Sequence, residues 1–130
     1  MKKYILFHGR QYGEKLQEYY IQSQIGIACF GAHRVGFEKT AVLKAREYCS
    51  VGLPFIGSSK EDAFPEDKCP FYKLFPANED PIDIEQVIEF YEYIKAHPEI
   101  HRQMRTYAEE NLTWEKQLKK VMDEVEKPEK

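Results

Sequence analysis

Apolar residues come in short runs separated by polar stretches rich in glycine and proline. Each run is nearly continuous rather than alternating, which is typical of strands covered on both faces. Because proline cannot donate to a strand ladder, we expect Pro54 at the start of its strand. The pattern predicts four buried strands, at residues 4–7, 25–30, 53–57 and 72–75.

Helical spacing predicts the elements between these strands. Leu16, Tyr19 and Tyr20 indicate a short helix over residues 14–22. Thr40 is expected to cap a helix over residues 41–51, which Gly52 ends. Residues 58–70 mix charged residues, serines and prolines, and they predict a long surface loop.

The last third of the chain is predicted to be helical. Asp83 and Gln86 form a capping pair, and the helix they begin ends near His97 because Pro98 restricts the residue before it. Pro98 suits the first turn of a second helix, and Thr113 caps a third. The apolar stripes are Ile84, Val87, Ile88, Tyr91 and Ile94; Ile100, Met104, Tyr107 and Ala108; and Trp114, Leu118, Val121 and Val125.

The order of these elements predicts an α/β fold with a parallel sheet of about four strands and a helical C-terminal third. The 130 residues fit one domain, which we place at residues 1–126, with a charged tail at 127–130. Nineteen basic and 22 acidic side chains give a net charge of −3, so nucleic acid is not an expected partner.

The cysteines and the N-terminus indicate the compartment. Cys29, Cys49 and Cys69 are odd in number and contain no CxxC pair, which argues against a disulfide framework or a zinc site and for free thiols in a reducing cytoplasm. The apolar run after Met1 stops at His8, too early for a signal peptide, and no stretch approaches the roughly 20 apolar residues of a membrane span. We expect a soluble cytoplasmic protein, or one peripheral to the inner face of the plasma membrane.

The loop over residues 31–39 is the first candidate for binding chemistry. It follows a predicted strand and leads into a helix N-terminus, where backbone N–H groups favour anions. A phosphate site and a solvated basic turn fit this signal about equally. Between His33 and Glu47 four cations outnumber two anions: Arg34, Lys39, Lys44 and Arg46 against Glu38 and Glu47.

Lys44 and Glu47 form the second candidate. Three residues apart on a helix, they share a face and either pair with each other or straddle a ligand, with Glu47 accepting from a ribose diol. Spacing alone favours the surface pair. The four histidines are too far apart to predict a metal cluster, and the sequence contains no GxGxxG, Walker, GxSxG or HExxH motif.

The segment around the predicted helix 41–51 resembles a known signature. Leu43-Lys44-Ala45-Arg46-Glu47-Tyr48-Cys49-Ser50-Val51-Gly52-Leu53-Pro54-Phe55-Ile56 is similar to the Glu-Ala-x-Ala-x-Gly-x-Pro-Val-Ile motif of GT-B glycosyltransferases, in the version of bacterial enzymes of surface polysaccharide synthesis. The resemblance covers residues 4–122. Its other parts follow in the family's order: Phe7-His8-Gly9, the helix at 14–20, Ile25-Gly26-Ile27-Ala28, and Met104-Arg105-Thr106-Tyr107-Ala108 followed by Trp114.

The resemblance implies site residues. Glu47 matches the second Glu of the family's Glu-x₇-Glu motif, which contacts the nucleotide ribose. The first Glu would stand at Lys39, and Glu38 lies one residue away, so the sugar contact is unassigned. The pyrophosphate would be held by backbone N–H groups near Thr40 and Leu43. Arg34 and Lys44 would add positive charge.

The resemblance also implies a function. A partial Rossmann-like domain would supply part of the donor-binding side of an enzyme that transfers a sugar from a UDP- or GDP-linked donor to a glycan or lipid-linked acceptor. It implies no metal or cofactor and identifies no catalytic residue. The family's N-terminal domain and the first two strand–helix units of its C-terminal domain have no counterpart here. The sheet would therefore have to be rearranged, or a partner or second copy would have to cover its open edges. The alternative is a non-catalytic module that binds a nucleotide sugar or a protein partner.

Overall fold

A computed structural model, which describes residues 4–129, contains five α-helices and five short strands. The helices are α1 (Gly13–Gln22), α2 (Leu43–Val51), α3 (Ile84–Ala96), α4 (Glu99–Asn111) and α5 (Trp114–Val125). The strands are β1 (Gly26–Ile27), β2 (Lys39–Thr40), β3 (Phe55–Gly57), β4 (Lys60–Glu61) and β5 (Tyr72–Leu74), and a 3₁₀ turn covers Ala32–Val35. The start of the N-terminal run and the end of the predicted tail, Met1, Lys2, Lys3 and Lys130, lie outside the described residues.

The main sheet is parallel, in the order β1-β3-β5. Gly26 pairs with Phe55, and Phe55 pairs with Tyr72, so β3 is the central strand. β2 and β4 form a separate parallel pair, with Lys39 opposite Lys60 and Thr40 opposite Glu61. The α/β fold with a parallel sheet is therefore confirmed, but the main sheet has three strands among the described residues rather than four.

The strand predicted at residues 4–7 is wrong. Tyr4, Leu6 and Phe7 are 83%, 77% and 92% exposed, and this segment has no strand conformation. A short apolar run becomes a strand only when a sheet edge satisfies its backbone and a second layer covers its side chains. Among the described residues no strand pairs with this segment, and the Leu6 and Phe7 side chains are left uncovered.

The pairing of β2 with β4 changes two predictions around α2. Thr40 does not cap α2, which begins after Val42 without a side-chain cap; Thr40 lies in β2 instead. Residues 58–70 form a surface loop only in part, because β4 lies within them and pairs with β2. Most of the segment is exposed, but five of its residues are buried: Ser58, Ser59, Glu61, Phe64 and Cys69.

The local helix signals are confirmed. The Asp83 carboxylate accepts from the Glu85 backbone N–H at 3.0 Å and from the Gln86 side chain at 3.0 Å. Thr113 accepts from the Lys116 N–H at 3.3 Å and caps α5. Gly52 ends α2 in the left-handed conformation that glycine favours, with φ of 75°.

The core lies between α2, α4 and β3. Phe55, Cys49 and Met104 are fully buried there, and the Phe55 ring stacks on Tyr72 with centroids 4.8 Å apart. The stripe of α5 is exposed instead, and Trp114 is 81% exposed. No described helix has the length and apolar character needed to cross a membrane.

Candidate functional site

The first hollow at the carboxyl ends of β1 and β5, which we call the Arg34 hollow, has a volume of about 340 Å³. Its walls include Phe30 and Phe75, which follow those strands, and His33 and Arg34 of the 3₁₀ turn. The sharp turn after β1 holds both basic side chains at the mouth. This is the edge at which open parallel sheets bind ligands.

An internal carboxylate engages the Arg34 guanidinium. Nε donates to Glu79 Oε1 at 2.8 Å and Nη2 to Oε2 at 2.5 Å, and His33 Nε2 lies 2.9 Å from Oε1. The hydrogen bonds from Arg34, then from His33, lower the pKa of Glu79 to about 2. A phosphate group that used Arg34 would have to displace Glu79. Because the pair is exposed to solvent, that displacement is inexpensive.

The second hollow, which we call the Glu61 hollow, has a volume of about 440 Å³ and lies where β3 ends. β4 follows β3 after two residues and brings Lys60 and Glu61 to this edge. The hollow is also lined by Lys39 of β2 and by the aromatic residues Phe64 and Tyr72.

Glu61 is a buried carboxylate, only 4% exposed. Its Oε1 accepts from the Thr40 hydroxyl at 2.5 Å, and Thr40 Oγ1 lies 2.8 Å from Ser59 Oγ. If Thr40 donates to Glu61, Ser59 must donate to Thr40. Within the described residues, Glu61 Oε2 and the buried Ser58 Oγ have no hydrogen-bond partner. Burial raises the pKa of Glu61, and the Thr40 hydroxyl, the Val42 backbone and the Arg46 charge act in the opposite direction.

The same contacts change the interpretation of the α2 N-terminus. Val42 is the N-cap of α2, so the Glu61 carboxylate lies against the helix end that favours negative charge. The predicted pyrophosphate position near Thr40 and Leu43 therefore already has an internal carboxylate beside it.

Glu47 lies elsewhere, on the side of α2 that faces α1. Its Oε2 accepts from the Tyr20 hydroxyl at 2.9 Å, and Oε1 accepts no hydrogen bond from the described residues. Burial, then the bond to Glu47, raises the pKa of Tyr20 to about 12. The carboxylate is thus held from one side and remains exposed to solvent on the other.

The other predicted residues are on the surface. Leu43 is 74% exposed, and Lys44 is exposed in the first turn of α2, where it forms no ion pair with Glu47. Glu38 is exposed, and its backbone carbonyl accepts from the Lys60 N–H at 3.0 Å.

The predicted residues therefore lie in three places rather than one. Arg34 lines the first hollow, Thr40 supports the second, and Glu47 lines a shallow third hollow beside Arg105. Sequence reasoning missed the partners of all three: Glu79, Glu61 and Tyr20. Each partner is 21 to 45 residues away along the chain, so no local pattern indicates it.

Two of the three thiols, those of Cys49 and Cys69, are too buried to act as nucleophiles. All three cysteines are free, as predicted, and burial raises the pKa of Cys49 to about 12 and that of Cys69 to about 11. Such thiols stay protonated and unreactive at neutral pH. Among residues 4–129, no three His, Cys, Asp or Glu side chains are placed to hold a metal ion.

Comparisons of this chain with protein-family models, with curated proteins and with solved structures each found no match.

Proposed function

We propose that this chain is part of a glycosyltransferase and supplies part of the site for its nucleotide-sugar donor. The complete enzyme would transfer the sugar from a UDP- or GDP-linked donor to a glycan or lipid-linked acceptor, and the nucleoside diphosphate would leave. The parallel sheet is then one part of a Rossmann-like domain.

The observation that carries the proposal is the packing of two signature segments against each other. Tyr48, beside Glu47 in the α2 signature, donates to the Ile27 carbonyl at 3.1 Å. A Cβ at Gly26 would lie 2.7 Å from the Tyr48 ring, so α2 approaches β1 at a distance that only glycine permits. Two motifs whose contacting residues, Ile27 and Tyr48, are 21 residues apart in sequence thus form one β1–α2–β3 unit.

Glu47 is the proposed ribose contact. A carboxylate with one oxygen fixed by Tyr20 and the other directed to solvent can accept hydrogen bonds from a vicinal diol. The Arg34 hollow would receive the diphosphate, with the guanidinium exchanging Glu79 for phosphate oxygens. Positive charge placed there stabilises the developing charge on the leaving group.

A second candidate, a non-catalytic module that binds a protein partner, is favoured by the open edge of the sheet. β1 pairs only with β3 among the described strands, and Ile27 in β1 is 57% exposed. Edges of this kind normally pair with further backbone.

Calorimetric titration of the folded chain with UDP- and GDP-linked sugars tests the proposal. One of these donors should bind, and Glu47→Ala should weaken it about tenfold, the loss of one charge-assisted hydrogen bond. The matched control is Glu89→Ala on the exposed surface of α3, which should leave the affinity unchanged.

A folded wild-type chain that gives no heat with any of these donors at millimolar concentration would overturn the proposal and favour the partner-binding module. Circular dichroism of each variant shows that the fold is retained.

A further inference from the structure

The segment that joins β5 to α3 is attached to the Arg34 hollow through one side chain. Residues 76–82 are exposed, lie in no helix or strand, and form much of one wall of the hollow. Within the described part of the chain, Glu79 makes the only hydrogen bonds that join these residues to another segment, and its partners are His33 and Arg34. We call residues 76–82 the Glu79 strap.

Both ends of the strap are fixed. Phe75, which precedes it, is buried in the core, and Asp83, which follows it, caps α3. Pro76 and Pro81 each have a fixed φ, which limits the backbone conformations that are lost when Glu79 is held. The strap can therefore detach at Glu79 alone and leave the sheet and α3 in place.

The Glu79 carboxylate binds the guanidinium as an anionic ligand would. Its two oxygens accept from Nε and Nη2 of Arg34, and guanidinium binds phosphate oxygens in the same paired geometry. One edge of a guanidinium cannot make both sets of hydrogen bonds at once, so Glu79 and an anion compete for that edge. Because both side chains are largely exposed, their ion pair is weak enough to exchange.

We propose that the Glu79 strap is an autoinhibitory contact: Glu79 occupies Arg34 in the free chain, and a diphosphate that enters the Arg34 hollow displaces Glu79 and frees the strap. This inference rests on the proposed function, which supplies the anion. The affinity for the anion is reduced in proportion to the fraction of chains in which Glu79 occupies Arg34. Because such coupling is reciprocal, any contact that holds the strap open strengthens anion binding.

Inorganic pyrophosphate is the probe, because it carries the anion without a nucleotide or a sugar. In calorimetric titrations, Glu79→Gln should strengthen pyrophosphate binding about two- to fivefold, the range that loss of an exposed ion pair allows. The matched control is Asp80→Asn, which removes a negative charge from the same hollow without touching Arg34. It should change the affinity by less than about twofold, because exposed charges are screened.

Two further measurements separate competition from a general effect of charge. In an Arg34→Ala background, Glu79→Gln should bring no gain in affinity, because no guanidinium is released. In the wild-type chain, the heteronuclear ¹H–¹⁵N NOE of the Glu79 and Asp80 amides should fall when pyrophosphate binds, because the freed strap moves more on the fast timescale that this NOE reports.

The autoinhibitory contact is overturned by a gain that persists without Arg34, by a gain no larger than that of Asp80→Asn, or by a strap that stays rigid when pyrophosphate is bound. It is also overturned if neither the wild type nor Glu79→Gln binds pyrophosphate. If nucleotide sugars bind but Glu79→Gln brings no gain, the strap fails and the proposed function stands. If the gain with pyrophosphate is found but no nucleotide sugar binds, the strap stands and the proposed function fails.

Discussion

The contact between Arg34 and Glu79 determines whether the positive charge of Arg34 is available to a ligand. The Arg34 Nε and Nη2 groups donate to Glu79, and His33 shares that carboxylate. The pair is exposed, so it contributes little to stability. The contact occupies the guanidinium until an anion competes for it, in a hollow that Asp80 and Asp83 also line.

The Glu79 contact predicts a measurable titration. Glu79 should titrate near pH 2, and Arg34→Ala should raise its pKa toward the ordinary value of 4.5, because Arg34 is the largest cause of the shift. A lowered folded-state pKa stabilises the fold above the unfolded value, and that contribution is lost as the pH falls toward 2. Carboxyl ¹³C chemical shifts against pH measure it.

Lys119→Ala removes a different exposed pair, with Asp123, and should leave the Glu79 titration unchanged. A Glu79 pKa near 4.5 in the wild-type chain would show that the Arg34 contact is not maintained in solution.

At the scale of single residues, only local contacts could be predicted from the sequence. The Asp83 and Thr113 caps follow from side chains within three residues of the helix start. Glu61 could not be found, because its role depends on β4 lying beside β2, which no property of residues 58–70 signals. The resemblance predicts Glu47 as a candidate contact but gives no sign of Tyr20, which is 27 residues away.

At the scale of elements, α2 connects the sheet to α4. It packs on β1 through Gly26 and Tyr48, and its C-terminal Gly52 lies against α4, where a Cβ would meet the His101 carbonyl at 2.8 Å. His101 Nδ1 in turn lies 2.8 Å from the Gly52 carbonyl. The end of α2 is therefore fixed to α4 from both directions.

Gly36 and Gly52 both have a left-handed backbone, but only at Gly52 would an added Cβ collide with a neighbouring residue. Alanine substitutions at the two positions therefore measure backbone strain and steric collision separately. Gly36→Ala, at φ of 81° with open space around it, should lower the free energy of unfolding by about 1–2 kcal/mol, the cost of a left-handed L-residue. Gly52→Ala adds the collision with His101 and should lower it by roughly 1–3 kcal/mol more. Urea denaturation of the two variants measures the difference. Equal losses would show that α2 and α4 are not in contact at this point.

Among these elements, the strands were harder to predict from the sequence than the helices. β1, β3 and β5 lie inside predicted apolar runs, although each is shorter than its run. β2 and β4 were missed because Lys39-Thr40 and Lys60-Glu61 are polar and become strands only through each other, 21 residues apart. The run at 4–7 was overpredicted because apolar residues alone do not provide a pairing partner.

In the whole molecule, burial is unevenly distributed. Phe55 and Met104 are at 0% exposure in the core, whereas α1 and α5 contain no buried residue. Large apolar side chains of the α5 stripe, the N-terminal run and the β1 edge are also exposed.

Because burial is uneven, truncating two apolar side chains of similar size, Met104 and Leu118, should change the free energy of unfolding by very different amounts. Met104→Ala should lower the free energy of unfolding by about 2–5 kcal/mol, because it leaves a cavity under α2. Leu118→Ala, at a position 59% exposed on α5, should change it by less than about 0.5 kcal/mol. Urea denaturation at 5-fold and 50-fold dilutions of a concentrated stock measures both values. If Leu118→Ala greatly lowers the free energy of unfolding in the concentrated sample but not in the dilute one, a second copy of the chain covers the α5 stripe. If the loss is large at every dilution, the exposed position of α5 is contradicted.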